Sequence, residues 1–299
     1  MRAVFLGLGR MGWHMASHLV RHEGMDEVVV YDAVEHLGQD WALENPGRVA
    51  ASLESAVAGA GYVFSSLPAD RELLAVRDKI LEEIEVDAIW VDHSTTSARA
   101  ARETAEKMSA VGAHFIDAPV SGGVDGARSG SLSVMAGGDQ ESFSRAEPII
   151  GSYASRVKYM GSSGAGQLTK MTNQICVVGL CQALAEGLDF ATRAGLDTSN
   201  VVEAMLQGSS NSWQMANRSD KMLDSDYDFG FSTTLMRKDI GLVLEEASDM
   251  NISLPVTSLV GQFLADVSSM GGADWDWCSL MERQRRFSST YSKNHDFSK

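Results

Sequence analysis

The stretch AVFLGLGRMG, residues 3–12, predicts how the first half of the chain folds. A short apolar run predicts a strand, and the pattern over residues 11–22 predicts a helix directly after it. Between them, Gly7, Gly9 and Gly12 have the spacing of a dinucleotide-binding turn. The first glycine permits a tight turn, the second lets the backbone approach a pyrophosphate, and the third lets helix and strand pack closely. We interpret the motif as a dinucleotide site rather than a structural turn, because strand and helix patterns flank it.

Asp32 supports this interpretation, since it ends the second predicted strand, EVVVYD, where a carboxylate can accept hydrogen bonds from the adenosine ribose. A carboxylate there repels a 2′-phosphate, so we expect NAD. NADP stays the alternative, because Arg10 lies within the glycine turn and several histidines are nearby. The residues predicted to contact the cofactor from the turn and from later strand ends are Gly7, Leu8, Gly9, Arg10, Met11, Gly12, Asp32, Leu67, Pro68, Ser94 and Thr95. The last four also suit ordinary turns and helix caps.

Strand and helix patterns alternate along the first half of the chain. Further strand-like runs occur at residues 62–68, 88–94, 113–119 and 130–138, most of them followed by a helix-compatible segment. Such alternation predicts a mainly parallel sheet with helices on both faces. Together with the glycine turn, it indicates an α/β Rossmann-type domain over residues 1–162.

Beyond residue 162 the strand signals end and helical patterns replace them. Residues 165–194 predict one long helix that joins the two domains, and five shorter helix-compatible segments follow it. We therefore expect an all-α domain for substrate binding and oligomerisation over residues 163–299. Its polar tail, about 287–299, is expected to be disordered.

Composition excludes several classes of function. The formal net charge is −15, so the chain should not track nucleic acid or an anionic membrane, and an anionic ligand must be met by local N–H groups and individual cations. No apolar run approaches the roughly 20 uncharged residues of a membrane span, and the start of the chain does not read as a signal peptide. Three cysteines without metal-ligand spacing predict no metal site and indicate a reducing, cytoplasmic location.

Lys170 stands at the entrance of the long helix, where most of the following residues are apolar. An ammonium group buried there without a partner would be costly and would tend to lose its proton. Asn173 and Gln174 lie three and four residues later and therefore share its helix face. From the helix alone, Lys170 is either a satisfied structural residue or a group that transfers a proton.

Five motifs carry a resemblance to a known family. They are FLGLGRMG at residues 5–12, DAPVSGGVDGARSGSLSVMAGG at 117–138, GAGQLTKMTNQ at 164–174, GSSNSW at 208–213 and FGFSTTLMRKD at 229–239. With them, nearly the whole chain resembles the β-hydroxyacid dehydrogenases, and most closely the 3-hydroxyisobutyrate dehydrogenases. The second and third motifs are highly specific in combination.

The resemblance implies roles for individual residues. Lys170 matches the family's catalytic lysine and is expected to act as general acid/base. The substrate is expected to contact Ser121, Gly122, Gly123, Asn173, Gln174 and Phe231. Lys238 matches a lysine of the cofactor site. Relatives often have Asn where this chain has Gln174, which is longer by one methylene group.

These observations predict an NAD-dependent oxidoreductase that transfers hydride between the nicotinamide and a small β-hydroxy acid or its semialdehyde. In that reaction Lys170, with a lowered pKa in a partly desolvated cleft, would accept or return the hydroxyl proton. A reductase of tartronate, succinic or glyoxylic semialdehyde is the alternative within the family, and a non-enzymatic dinucleotide-binding protein is a more distant one. A 6-phosphogluconate dehydrogenase would have a His-Asn pair at Asn173 and Gln174, and imine reductases usually lack the lysine.

The long apolar helix must be covered by several neighbours. Because members of the resembled family form dimers or tetramers through it, we expect a homodimer or homotetramer. The expected partners are otherwise a small carboxylate substrate, with no nucleic acid and no membrane.

Overall fold

The computed structural model describes residues 1–293 of the chain and the side chains of residues 1–288. The chain divides after Lys170 into two compact units, the first of them Met1–Lys170. The second begins at Met171.

The first unit is built on one sheet. Its strands are β1 Arg2–Leu6, β2 Glu27–Tyr31, β3 Arg48–Val49, β4 Tyr62–Ser65, β5 Ile89–Asp92, β6 His114–Asp117, β7 Val120–Ser121, β8 Leu132–Gly138 and β9 Ala154–Gly161. The helices between them are α1 Gly12–Leu19, α2 Glu35–Glu44, α3 Leu53–Val57, α4 Asp70–Ile80, α5 Ala98–Ala110, α6 Gly123–Ser129 and α7 Gln140–Ile150.

The sheet is mainly parallel, as the alternating pattern predicted. Its strand order is β3-β2-β1-β4-β5-β6-β8-β7, with β9 paired to β8. The first six strands run parallel, whereas β6 and β7 pair with β8 in antiparallel fashion. The order reverses between β1 and β4, and in open α/β sheets a ligand binds beyond the carboxyl ends of the strands at such a point.

Both faces of the sheet are buried, because consecutive side chains of a strand point to opposite faces. In β1, Phe5 belongs to the hydrophobic cluster on one face, and Val4 and Leu6 belong to the cluster on the other. All three side chains are at most 1% exposed. The central strands therefore hold the turns at their carboxyl ends on a rigid support.

The second unit is helical. The long helix α8, Ala165–Arg193, begins in the first unit and continues through the second. It is followed by α9 Thr198–Leu206, α10 Trp213–Asp224, α11 Thr233–Asp249, α12 Pro255–Val267 and α13 Leu280–Lys293. The tail expected to be disordered is helical through Lys293, and the rest of that expectation, residues 294–299, lies outside the described residues.

Within the described residues, α8 is the helix that is long and apolar enough to cross a membrane by length and composition alone. Forty-four per cent of its most apolar 18-residue window is buried in the protein. Core helices of water-soluble proteins pass the same test, so the finding is weak support for a membrane span. On α8, Val178, Cys181 and Leu184 face the core of the second unit.

The exposed side of α8 is mostly apolar, although Thr172 and Glu186 are also exposed there. Cys176, Leu180, Ala183, Gly187 and Phe190 are exposed and recur every three or four residues, so they form one stripe, which we call the α8 outer face. Leu180 is 46% exposed and Phe190 is 73% exposed.

The three cysteines are unpaired and differ in accessibility. Cys176 is exposed, whereas Cys181 and Cys278 are buried. Burial raises the pKa of both buried thiols, and the nearby carboxylate of Asp276 raises it further.

Candidate active site

The glycine turn after β1 has the geometry that its sequence predicted. Gly7 has a φ of +88°, and a Cβ there would lie 2.4 Å from the carbonyl oxygen of Ser66. A Cβ on Gly12 would lie 1.9 Å from the carbonyl oxygen of Gly7. Gly9 differs, because no atom beyond Gly9 and its two chain neighbours lies within 4 Å of the position its Cβ would take. Gly7 and Gly12 thus permit close backbone packing, and Gly9 leaves the backbone open to a ligand.

The turn leads into the N-terminus of α1. Helix α1 begins at Gly12 with no side-chain cap and no acidic residue in its first turn. Arg10 is exposed and Met11 is half-buried before it, whereas Leu8 is only 2% exposed and anchors the turn in the core. Because the first N–H groups of a helix lack partners within it, this end favours an anion such as a pyrophosphate.

Asp32 follows β2 and is bonded to the glycine turn. The N–H of Leu8 donates to its Oδ2 at 2.6 Å, and the N–H of Val34 donates to its Oδ1 at 2.7 Å. A carboxylate offers about four acceptor positions, so these two bonds leave capacity for a ribose diol. The groups that a dinucleotide requires are therefore present and mutually oriented.

The loops after β4 and β5 adjoin this turn. A Cβ on Gly7 would lie 3.4 Å from the Leu67 side chain, and the N–H of Leu67 donates to Ser94 Oγ at 2.7 Å. Ser94 Oγ in turn donates to Asp92 at 2.5 Å. Next to these residues, Pro68 is exposed and Thr95 is half-buried. Four predicted cofactor residues thus lie at two adjacent strand ends beside the glycine turn.

Asp117, at the end of β6, was not among the residues predicted for the site. Its Oδ1 accepts the N–H of Gly164 at 2.8 Å, and its Oδ2 accepts the N–H of Gln167 at 3.0 Å. Burial raises the pKa of Asp117 to about 7, although these N–H donors lower it, and the nearby Asp92 adds to the increase. Asp117 caps the start of α8 from a neighbouring strand.

Lys170 lies in the second turn of α8 and is 9% exposed. Its Nζ donates to the carbonyl oxygen of Val120 at 2.8 Å. Val120 directly precedes Ser121, Gly122 and Gly123, so the amine is adjacent to the segment predicted to bind a carboxylate. Gly122 and Gly123 have φ values of +127° and +64°. This left-handed conformation lets successive N–H groups turn towards one anion.

In the second unit, four polar side chains form one chain of contacts. Asn173 Nδ2 donates to Gln174 Oε1 at 2.8 Å, and Gln174 Nε2 donates to Asp239 Oδ2 at 2.7 Å. Asp239 also pairs with Lys238, at 3.1 Å between Nζ and Oδ1. Gln174 is 3% exposed and Asp239 is 1% exposed, so both side chains are buried. Asn173 and Lys238 are half-buried at the two ends of the chain of contacts.

Phe231 belongs to a different network of the second unit. Its N–H donates to Asp276 Oδ2 at 2.9 Å, and Asp276 is also paired with Arg218, at 2.9 Å. The guanidinium of Arg218 lies over the rings of Trp213 and Phe229, with its Cζ 5.6 and 5.2 Å from their centroids. The buried ion pair therefore fixes the backbone of the loop that carries Phe231.

Arranged in this way, the residues suit a reaction at a hydroxyl-bearing carbon. The glycine turn, the α1 N-terminus and Asp32 fit a dinucleotide, and the glycine pair with Lys170 fits a small carboxylate beside a proton donor or acceptor. Among residues 1–288, whose side chains the structure describes, no group of three or more His, Cys, Asp or Glu side chains could hold a metal ion.

Two family models together match most of the chain. Residues 2–161 match the model of the NAD binding domain of 6-phosphogluconate dehydrogenase. Residues 164–283 match the model described as the NAD-binding domain of NADP-dependent 3-hydroxyisobutyrate dehydrogenase. The boundary between the two models falls just before α8.

Individual relatives and solved structures agree with these matches. An uncharacterized oxidoreductase of Shewanella frigidimarina is 44% identical over 285 residues, which cover 94% of this chain and 97% of the relative. The 3-hydroxyisobutyrate dehydrogenase of Pseudomonas aeruginosa is 33% identical over 265 residues, covering 85% and 88% of the two chains. The structure of Mycobacterium tuberculosis 3-hydroxyisobutyrate dehydrogenase with L-serine superposes with a TM-score of 0.87 at 29% identity, covering 95% and 99%.

With a dinucleotide turn in one unit and these matches over most of the chain, the protein belongs to the β-hydroxyacid dehydrogenase family and is an NAD(P)-dependent oxidoreductase of CH–OH groups, of the 3-hydroxyisobutyrate dehydrogenase type.

Proposed function

We propose that the protein interconverts a small β-hydroxy acid of the 3-hydroxyisobutyrate type and its semialdehyde, with Lys170 as general acid/base. The observation that carries the proposal is the 2.8 Å hydrogen bond from Lys170 Nζ to Val120, the residue before Ser121-Gly122-Gly123. It puts a primary amine beside the backbone that would bind the substrate carboxylate. A base must lie within hydrogen-bond reach of the proton it removes.

In this mechanism, the bound nicotinamide supplies the acceptor for the hydride. The N–H groups at Gly122 and Gly123 and the Ser121 hydroxyl hold the substrate carboxylate. Lys170 removes the hydroxyl proton as the C–H bond breaks and the C–O bond becomes a carbonyl, and in the reverse direction it returns that proton. The Val120 carbonyl keeps the amine directed towards this position. Asn173, a neutral amide on the same helix, would orient substrate without adding charge.

We further propose that NAD is preferred over NADP. Two carboxylates support this proposal: Asp32 follows β2, at the strand end expected to hold the adenosine ribose, and Glu35 lies in the first turn of α2. The two residues between them, Ala33 and Val34, offer no cation. Each carboxylate would repel the added phosphate.

The substrates to be tested are chosen by analogy with the relatives. The M. tuberculosis relative was solved with L-serine, which is itself a β-hydroxy carboxylate. We therefore propose to test 3-hydroxyisobutyrate, 3-hydroxypropionate, L-serine and glycerate in the oxidative direction. Tartronate, succinic and glyoxylic semialdehydes are tested in the reductive direction, because those reductases are the alternative function.

The experiment compares the wild type with Lys170→Ala, each with NAD and NADP. We expect Lys170→Ala to lose about 10³-fold in kcat, within the range for general acid–base catalysis, while it still binds NADH by fluorescence titration. The matched control is Lys107→Ala, an exposed lysine of α5, which should leave kcat unchanged. Retention of turnover by Lys170→Ala would rule out the proposed mechanism.

We also propose that copies of the chain associate through the α8 outer face. The face is apolar, and a Cβ on the neighbouring Gly179 would lie 3.8 Å from Val256, which is 62% exposed. Apolar side chains of α12 thus extend the stripe. Exposed apolar patches of this kind are typical of protein–protein contacts.

A further inference from the structure

Gln167 is fully buried in the first turn of α8, and both ends of its side-chain amide are bonded. Its Nε2 donates to the carbonyl oxygen of Ser94 at 2.8 Å, and its Oε1 accepts the N–H of Thr96 at 3.1 Å. The amide therefore pairs with the loop after β5 as the backbone of another strand would. Thr95, between these two contacts, is a predicted cofactor residue.

The loop held by Gln167 is connected to other strand ends. Ser94 Oγ accepts the N–H of Leu67, which follows β4, at 2.7 Å. The backbone N–H of Gln167 itself donates to Asp117, at the end of β6, at 3.0 Å. Gln167 thus joins the first turn of α8 directly to the carboxyl ends of β5 and β6, and Ser94 extends the connection to the end of β4.

Lys170 follows Gln167 by three residues and so lies one helical turn further along the same face. Its Nζ contacts the Val120 carbonyl at 2.8 Å. A movement of this helical turn relative to the loop after β5 would change the distance between the amine and a bound nicotinamide. A misplacement of about 1 Å can cost about 10²-fold in rate.

We propose that Gln167 is a positioning residue that fixes the separation between Lys170 and the cofactor-side loop, residues 94–96. The inference rests on the proposed role of Lys170. Gln167 does not touch the reacting atoms; it acts through the helix turn that carries the amine and through the loop that borders the cofactor.

The test compares Gln167→Met with Gln182→Met. Methionine keeps the length of the side chain but removes both hydrogen bonds of the amide. Gln182 is a matched control because it lies on the same helix, is 5% exposed, and bonds only along the helix, to Glu186 at 2.8 Å. For each variant, kcat, KM, the Kd for NADH, the pH dependence of kcat and the thermal midpoint are measured.

We expect Gln167→Met to lower kcat by about 30-fold, because proton transfer depends on placement of the amine. The pH at which kcat is half-maximal should move by about half a unit, while the Kd for NADH changes by less than about threefold. Gln182→Met should change kcat less than about twofold, even if its thermal midpoint falls equally. Gln167→Asn, which is too short to keep both contacts, should show the same split between kcat and Kd and serves if the methionine variant does not fold.

Equal losses of kcat in the Gln167 and Gln182 variants, or a kcat within threefold of the wild type in a folded Gln167 variant, would overturn the inference. These outcomes are distinct from failure of the proposed function. If Lys170→Ala retains turnover, the proposed function is wrong. If Lys170→Ala is inactive but the Gln167 variants are fully active, only the positioning role is wrong.

Discussion

Gly9 and Gly12 lie three residues apart in one turn, yet an added methyl group has different consequences at the two positions. At Gly12 the new Cβ would meet a backbone oxygen at 1.9 Å, so Gly12→Ala should lower the free energy of unfolding by about 3 kcal/mol. At Gly9 no atom beyond its two chain neighbours is within 4 Å, so Gly9→Ala should fold normally but raise the Kd for NADH by about tenfold or more, because the methyl group would meet the pyrophosphate. Urea unfolding and fluorescence titration of both variants check this. Equal stability of the two would contradict the packing argument.

Asp32 is predicted to determine the choice of dinucleotide. Asp32→Ala removes the acceptor for a ribose diol and the repulsion of a 2′-phosphate, so kcat/KM with NAD should fall about 50-fold, as expected for loss of charged hydrogen bonds. The ratio of NADP to NAD activity should rise. Asp40→Ala, an exposed carboxylate of α2, is the control. A wild-type preference for NADP would show that the assignment of Asp32 is wrong.

At the scale of single residues, those that belong to a motif could be predicted from the sequence. Residues that only the fold brings together could not. The glycines and Lys170 stand in recognisable spacings. Asp117 and Gln167 were missed because a carboxylate at a strand end and a glutamine in a helix are common, and their contacts join segments that are distant in sequence. A signal was present: Gln167 lies three residues before Lys170 on the same helix face.

The start of α8 should make stability depend on pH. The pKa of Asp117 is raised to about 7 by burial, so the folded protein keeps a proton that the unfolded chain loses above its ordinary pKa. This contribution therefore lowers stability as pH rises from about 4 to about 7. Asp117→Asn removes it. Measured by urea unfolding, the free energy of unfolding of the variant relative to that of the wild type should rise by on the order of 2–4 kcal/mol between pH 4 and pH 7.5.

His93 makes the free energy of unfolding depend on pH in the opposite direction. Burial lowers its pKa to about 4, and its ring nitrogens contact Ala118 and Tyr153 at 2.7 and 2.8 Å. The folded state thus resists protonation, and this contribution is lost as pH falls from about 6.5 to about 4. If the difference in the free energy of unfolding between Asp117→Asn and the wild type did not change with pH, the raised pKa of Asp117 would be wrong.

Among the elements, the buried central strands and the long helix α8 were predictable, whereas strands β3, β7 and β9 were not. Central strands such as β1 and β5 are continuous apolar runs, because helices cover both faces. Strand β9 alternates exposed Arg156 and Lys158 with half-buried residues, so its pattern resembles a polar loop. Strands β3 and β7 have two residues each, and only pairing with a neighbour reveals them.

At the scale of the whole molecule, the proposed assembly can be tested by introducing charged side chains into the α8 outer face. The double variant Leu180→Asp with Phe190→Asp places two carboxylates in the α8 outer face, where burial against another copy would be costly. We expect light scattering to give the mass of one chain for this variant and a multiple for the wild type. Leu43→Asp, a change at an 86% exposed residue of the first unit, is the control. A single-chain mass for the wild type would contradict the proposal.

The unequal burial of the three thiols has a practical consequence for anyone handling the protein. Cys181 and Cys278 are enclosed and keep their protons at neutral pH, and in that state a thiol is a poor nucleophile. Cys176 is open to reagents. One maleimide dye should therefore attach to the native chain at one known position, without any cysteine having to be removed first. If copies meet across that part of the surface, the labelling rate should rise as the protein is diluted.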